Sequence, residues 1–254
     1  YPLVRRVPKP RQTLKPKAQL VLASENDSFD RIPNRTSAIY ELSASNLFSL
    51  ASPEDENSRL NYGVGHTLET AGGLRTRFFV GQSYNLSNDQ FSLASGFSED
   101  ASAVITEAEI EYNGLSLSQD LRVDREHGRI LRQRSGASFQ AKRFSASADY
   151  TFLDTGQVGN TRPREELTSR LNVYISDHWR FGVLSQQDLD PDQDLELSDR
   201  IRDEVYLTYQ DDCTYIQLLF DRDHRQVGTI EPKTRVSFLF ALRTLGGNAP
   251  NARW

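Results

Sequence analysis

From Arg59 to Leu245 polar and apolar residues alternate in about eleven segments, joined by links that are alternately very short and long. Side chains two apart in a strand share a face, so Val236, Phe238, Phe240 and Leu242 stand together against Arg235, Ser237, Ala241 and Arg243. The predicted strands are Lys15 to Ala23, Arg59 to Thr70, Leu74 to Tyr84, Ser102 to Asn113, Gly114 to Asp124, Gly128 to Phe139, Arg143 to Leu153, Arg164 to Ile175, His178 to Gln187, Leu195 to Tyr209, Asp212 to Arg222 and Lys233 to Leu245. Their usual length of ten or so residues suits a tilted strand crossing a bilayer better than the ~5 to 6 residues of a soluble sandwich.

The links give a second signal. Asn113 and Gly114 between two alternating runs form the strongest two-residue hairpin pattern, because both positions must tolerate positive φ. Further tight turns are predicted at 71–73, 140–142, 176–177 and 210–211, and longer links at 85–101, 154–163, 188–194 and 223–232, with 125–127 a short exception. Short turns on one side and long loops on the other predict an all-β fold, an antiparallel transmembrane β-barrel of the bacterial cell outer membrane, with short turns and both chain ends in the periplasm. The expected organisation is an extended, proline-bearing leading segment over 1–14, barrel strands over 15–245 interrupted by a long polar loop at 24–58, and a tail over 246–254.

Facing follows from cost. A carboxylate held against hydrocarbon near the midplane costs a few kcal/mol, so Glu107, Glu109 and Glu111 must turn away from the lipid that meets Ala108, Ile110 and Tyr112. The same logic turns Asp120 and Arg122 inward with Ser116 and Ser118, against Leu115, Leu117, Leu121 and Val123, and turns Arg180 inward against Trp179, Phe181 and Val183. Tyr112, Tyr150, Tyr174, Trp179 and Tyr209 lie near predicted strand ends, where aromatic girdles belong. The competing architecture is a soluble β-sandwich with one wet face, acting as a binding module, because alternation alone does not distinguish lipid from a dry core.

Composition sharpens this. Apolar residues are 37% and the mean hydropathy is −0.59, with no run near the ~18 apolar residues a spanning helix needs, which excludes membrane helices but not a barrel with a wet interior. The 30 basic residues are scattered among 35 acidic ones, so no basic stripe speaks for nucleic acid. The chain opens on Tyr1 without an initiator methionine or an apolar leader, which predicts a mature or trimmed piece. Cys213 is the lone cysteine and cannot close a bridge within the chain. No metal or other cofactor is expected: Asp188, Asp190, Asp192 and Asp194 alternate as calcium loops do but lack the glycine and distal glutamate, and His66, His127, His178 and His224 lack ligand spacing. A self-contained pore, or a lipid hydrolase with Ser and His on neighbouring strands, is the other membrane alternative, though no nucleophile motif is present.

Short words of the sequence, taken in order, add a resemblance. Ile32, Pro33, Asn34; Asn46, Leu47, Phe48, Ser49, Leu50; Arg59 to Val64; and Gly81, Gln82, Ser83, Tyr84 resemble the C-terminal barrel region of the LptD (OstA/Imp) family of lipopolysaccharide-assembly proteins. Asp211, Asp212 and Cys213 before an alternating strand, and the closing Leu242, Arg243, Thr244, Leu245 and Gly246, are similar to the family's last two strands in its alphaproteobacterial branch, while Tyr1, Pro2, Leu3 and Ala18 to Val21 are similar to its mid-barrel start. The resemblance implies a non-enzymatic outer-membrane protein that inserts lipopolysaccharide into the outer leaflet, and about twelve strands forming roughly half of a larger barrel. Implied partners are lipopolysaccharide, an LptE-like plug lipoprotein, an LptA-like periplasmic bridge and the barrel-assembly machinery. Sugars would pass a lumen lined by Glu107, Glu109, Glu111, Asp120, Arg122 and Arg180, and acyl chains would leave beside a gate strand bearing Arg235, Ser237, Phe238, Phe240 and Arg243. The family commonly carries two adjacent cysteines near its end that bridge to an N-terminal domain; here Thr214 follows Cys213, so one interdomain disulfide is implied at most. Arg35 and Thr36 also stand where acidic residues are usual, and Ala51, Ser52 and Pro53 replace a basic, glycine-containing stretch.

Overall fold

The computed structural model describes residues 3–5, 10–22, 58–86, 97–98, 101–154, 163–189, 200–224 and 232–242. Among them there is no helix. The strands are β1 (Leu3–Arg5), β2 (Arg11–Val21), β3 (Arg59–Glu69), β4 (Arg75–Asn85), β5 (Phe97–Ser98), β6 (Ala101–Ser102), β7 (Val104–Tyr112), β8 (Leu115–Val123), β9 (Ile130–Gln140), β10 (Phe144–Leu153), β11 (Arg164–Tyr174), β12 (Trp179–Asp188), β13 (Arg200–Gln210), β14 (Thr214–Asp223) and β15 (Lys233–Leu242). The chain divides into two compact units, 1–135 with 151–164 and 136–150 with 165–254, so β9 and β10 contribute to both.

In the first unit β1, β2, β3, β4, β7 and β8 follow one another as an antiparallel meander. The β2–β3 ladder runs unbroken from Arg11 opposite Glu69 to Val21 opposite Arg59. In the second unit β11 to β15 form the same kind of meander, and β15 pairs only with β14, leaving its other edge without a strand among the described residues. Long antiparallel neighbours joined by alternately short and long links, with one register shift at Gln186 and Gln187 between β12 and β13, are the construction of an outer-membrane β-barrel wall.

The predicted hairpin turn forms as its sequence demands, with Asn113 at φ 46° and Gly114 at φ 81°. Three elements differ from expectation. The leading segment is not wholly irregular: β1 pairs through Leu3 to Arg5 with Leu14 to Gln12, and β2 begins at Arg11 rather than Lys15. Pro16 lies beyond the last β1-paired residue, so its missing N–H costs that ladder nothing. The predicted link 85–101 contains the small β5–β6 hairpin, Phe97 opposite Ser102, and the long strand expected from Ser102 is broken at Ala103. Tyr174 leaves the aromatic girdle; Val173 and Ile175 take the apolar side, and alternation places Tyr174 on the polar side opposite Arg180. The long loop 24–57, Asp190 to Asp194 and everything after Leu242 lie outside the described residues.

Burial is inverted relative to a soluble domain. The apolar face is open, with Phe238 69% and Val236 66% exposed, whereas Asn61, Ser83 and Ser102 on the polar side are fully buried. Phe79, Ala101, Ala103, Ile105 and Tyr215 are the only buried hydrophobic residues among those described. A sandwich must cover its apolar faces with each other. Here those faces are left open, the arrangement a membrane barrel presents to lipid.

Candidate functional site

The polar face holds the residues with chemistry. In the first unit the three glutamates of β7 share one side of the strand, and register places Glu107 opposite Asp120, Glu109 opposite Ser118 and Glu111 opposite Ser116 of β8. On the other flank β4 supplies two arginines in phase with them. Arg77 donates through Nε to Glu109 at 2.8 Å and lies 3.7 Å from Glu111, while Arg75 meets Glu111 at 3.2 Å and Glu69 of β3 at 3.5 Å. The glutamates therefore belong to a cross-strand charge ladder rather than a bare acidic wall. Next to it is a cavity of about 270 Å³ with Lys15, Lys17 and Arg77 on one bank and Glu107, Glu109 and Asp120 on the other. Arg122 is on the same face of β8, opposite Ile105, and is buried.

Toward the long-loop end of β3 and β4 the polar groups form a closed network. The Ser83 hydroxyl donates to Asn61 Oδ1 at 2.6 Å, Asn61 Nδ2 donates to Gln19 at 3.0 Å, and the Ser83 N–H donates to the Ser102 hydroxyl at 2.9 Å. Ser102 comes from β6, so the small hairpin is what shelters this patch, aided by Gln82 Nε2 donating to the Ser102 carbonyl at 2.7 Å.

The polar face of the second unit is organised in rows that cross the strands. One row is Tyr174, Arg180, Thr208 and Gln217; the next is Asn172, Gly182, Tyr206 and Leu219; a third is Arg170, Leu184, Glu204, Asp221 and Arg235. Gly182 is needed where it stands, because a Cβ there would strike the Tyr206 ring, which lies across it so that the hydroxyl can donate to Asn172. Phe79 does the same in the first unit, where a Cβ on Gly63 would come 2.7 Å from the ring. Arg202 links Glu204 and Asp221, the latter through Nε at 2.8 Å.

On β15 the polar face carries Arg235 opposite Asp221 and Ser237 opposite Leu219, and the apolar face carries Phe238 opposite Leu218 and Phe240 opposite Ile216. Arg243, the remaining residue expected on this strand, lies outside the described residues. Trp179 and Tyr209 are a facing pair on the apolar side at the short-turn end, ring centroids 5.1 Å apart, and Phe139 and Phe144, flanking the β9–β10 turn, bring their rings within 5.5 Å. Both pairs have the placement of an interfacial girdle.

The turns hold charge in order. At the β13–β14 turn the Tyr209 hydroxyl donates to Asp211 at 2.8 Å and the N–H groups of Cys213 and Thr214 donate at 2.9 and 2.6 Å, which together hold the Asp211 carboxyl below the usual carboxylate range. At the β8–β9 turn the Glu126 N–H, 3.1 Å from Asp124, and then His127 and Arg129 lower that carboxyl in the same way. Cys213 is exposed and unbridged.

The weaker candidates separate. Among the described residues no group of three or more His, Cys, Asp or Glu could hold a metal, and His66, His127, His178 and His224 stand apart, on Phe78's partner position, Asp124, the Gln210 carbonyl and Asp203. Asp188 lies opposite Glu166 on β11. Ser185 and His224 do converge, but both bind Asp203, at 2.7 and 3.0 Å, which puts the carboxylate between them and keeps the imidazole from the hydroxyl. Sequence reasoning placed the glutamates yet missed Arg75 and Arg77, the Asn61 network, and the Tyr206–Asn172 contact. The alternating Arg75, Arg77 pair just after a tight turn was a usable signal for the first.

No curated protein matches the chain. A family model described as LptD, LPS transport system D, matches residues 1–184, well over half of its length. Together with the all-antiparallel strands and the exposed apolar face, this match establishes that the chain belongs to the LptD family, which works in lipopolysaccharide transport and assembly at the outer membrane.

Proposed function

We propose that this chain forms part of an outer-membrane wall through which lipopolysaccharide is inserted into the outer leaflet, the polar face lining a wet lumen and the apolar face meeting lipid. The observation that carries the reading is the inverted burial: charged and amide side chains are sheltered or paired on one face, while phenylalanines stand bare on the other. Glu107, Glu109, Glu111, Asp120, Arg122 and Arg180 then belong to the lumen wall. A saccharide moves past such a surface by exchanging hydrogen bonds, which a mixed-charge wall supplies without trapping one sign.

Acyl chains cannot follow the sugars through water, and a barrel with every strand hydrogen-bonded has no opening toward lipid. The edge of β15 not used by β14 supplies one wall of such an opening, with Arg235 and Ser237 toward sugar and Phe238 and Phe240 toward acyl chain. Delivery comes from an LptA-like periplasmic bridge, an LptE-like lipoprotein fills the lumen, and the barrel-assembly machinery inserts the protein. Cys213, exposed on a short turn, is available for a disulfide to a periplasmic domain. Transport of this kind needs no enzymatic step from this chain.

The test is photocrosslinking in living cells, with a photoreactive residue at Glu109, Ser237 or Phe238. Lipopolysaccharide adducts are expected at Glu109 and Ser237, and at Phe238 adducts to membrane lipid generally. Absence of lipopolysaccharide adducts at both polar positions would overturn the reading.

A further inference from the structure

On the polar face of the second unit Arg202 is matched by Glu204 and Asp221, and Arg170 by Asp149 at 3.3 Å. Arg180 is not. Among the described residues no carboxylate pairs with it, its contact being the face of the Tyr206 ring, 5.6 Å from the guanidinium, and its Nε is buried with no acceptor. Directly opposite on β13 is Thr208, 2% exposed, whose hydroxyl also lacks a hydrogen-bond partner. Opposite residues of an antiparallel pair have Cβ atoms about 4.5 to 5.5 Å apart, so the two orphaned donors can address one ligand.

A buried donor left unpaired is costly, and two side by side suit an acceptor with several oxygens. A guanidinium edge presents parallel N–H bonds that match a phosphate, and the threonine hydroxyl can reach a further oxygen. What surrounds them is aromatic. Tyr174 faces Arg180 across β11, Tyr206 lies over Gly182 one row away, and buried Tyr215 occupies the row on the other side, opposite Gln210. Tyr174, half-buried on this face, can meet the C–H side of a pyranose ring while amides such as Gln217 take its hydroxyls.

We propose that Arg180 and Thr208, walled by Tyr174, Tyr206 and Tyr215, bind the phosphate of a phosphorylated sugar. The site deepens the transport reading and rests on it, because it gives the polar face a place where a phosphosugar headgroup pauses. Tyr206, held by Gly182 and Asn172, is the preorganised wall, and Arg180 supplies the charge.

The experiment is calorimetric titration of the purified full-length protein in detergent with glucosamine 1-phosphate, glucosamine and inorganic phosphate. Glucosamine 1-phosphate is expected to bind most tightly. Arg180→Gln should weaken it about tenfold or more, Thr208→Val several-fold, and Arg180→Lys should fall between wild type and Arg180→Gln because the charge survives without the planar fork. Lys233→Gln, elsewhere on the same face, should leave affinity unchanged. Unaltered heat-modifiable migration on gels certifies that each variant is folded. No binding by wild type, equal affinity in Arg180→Gln, or inorganic phosphate binding as tightly as the sugar phosphate would each overturn the proposal. If the probe fails while lipopolysaccharide still crosslinks at Ser237, this site falls and the transport reading stands; loss of both removes the reading itself.

Discussion

At the scale of single residues, two glycines let an aromatic ring lie flat across the neighbouring strand, Gly182 under Tyr206 and Gly63 under Phe79. A strand glycine ordinarily weakens a sheet; here each makes room for a large side chain that packs where a Cβ would be. Gly182→Ala should displace Tyr206, break its bond to Asn172 and cost about 1 to 3 kcal/mol, as overpacking does. Urea unfolding in detergent, read by the gel shift of the folded barrel, will show it, whereas Gly72→Ala, whose Cβ would meet nothing within 4 Å, should be close to neutral. Two turn carboxylates supply a pH dependence. Asp124 and Asp211 both titrate below the usual carboxylate range, so their stabilisation is fully present above an unfolded pKa of about 3.9 and is lost as pH falls through the lower folded values. Amide exchange at Cys213 and Thr214, corrected for intrinsic rates, should therefore accelerate as the pH falls below the ordinary carboxylate range, and Asp211→Asn should remove that dependence.

At the scale of elements, β15 states the two-solvent rule most plainly. Phe238 and Ser237 are adjacent yet belong to opposite faces. Phe238→Arg should cost about 2 to 4 kcal/mol if its level is near the midplane, and Ser237→Arg should be tolerated, with the folded fraction recovered from membranes as the measurement. Such strands were legible beforehand because two faces of opposite character force a period of two over ten residues, and Asn113–Gly114 was legible because few dipeptides accept two positive φ values. The β5–β6 hairpin was not, since two-residue strands carry no period. Nor were the partners of the glutamates: their direction followed from cost, but finding Arg77 opposite Glu109 needs the register between β4 and β7, which no local pattern encodes. Tyr174 was misplaced because closeness to a strand end was weighed over parity. The orphaned pair Arg180 and Thr208 was half visible, as Arg180 could be turned inward while its lack of a carboxylate depended on strands far away in sequence.

At the scale of the whole molecule, the alternation of short turns and long loops predicts which strand ends meet the periplasm, and the lone thiol reports on that prediction. Cys213 is exposed at the β13–β14 turn, on the same rim as the Trp179–Tyr209 pair, since Trp179 is directly opposite Tyr209 and both immediately adjoin tight turns. If that rim is periplasmic, a membrane-impermeant maleimide added to intact cells should not reach Cys213, while the same reagent should label it after the outer membrane is permeabilised. A thiol engaged in the proposed disulfide would stay unlabelled until reduced, so the permeabilised sample is divided and one half reduced first. Labelling only after reduction supports both the orientation and the bridge; labelling without reduction supports the orientation and removes the bridge. Labelling in intact cells would place the Cys213 turn outside and overturn the proposed orientation.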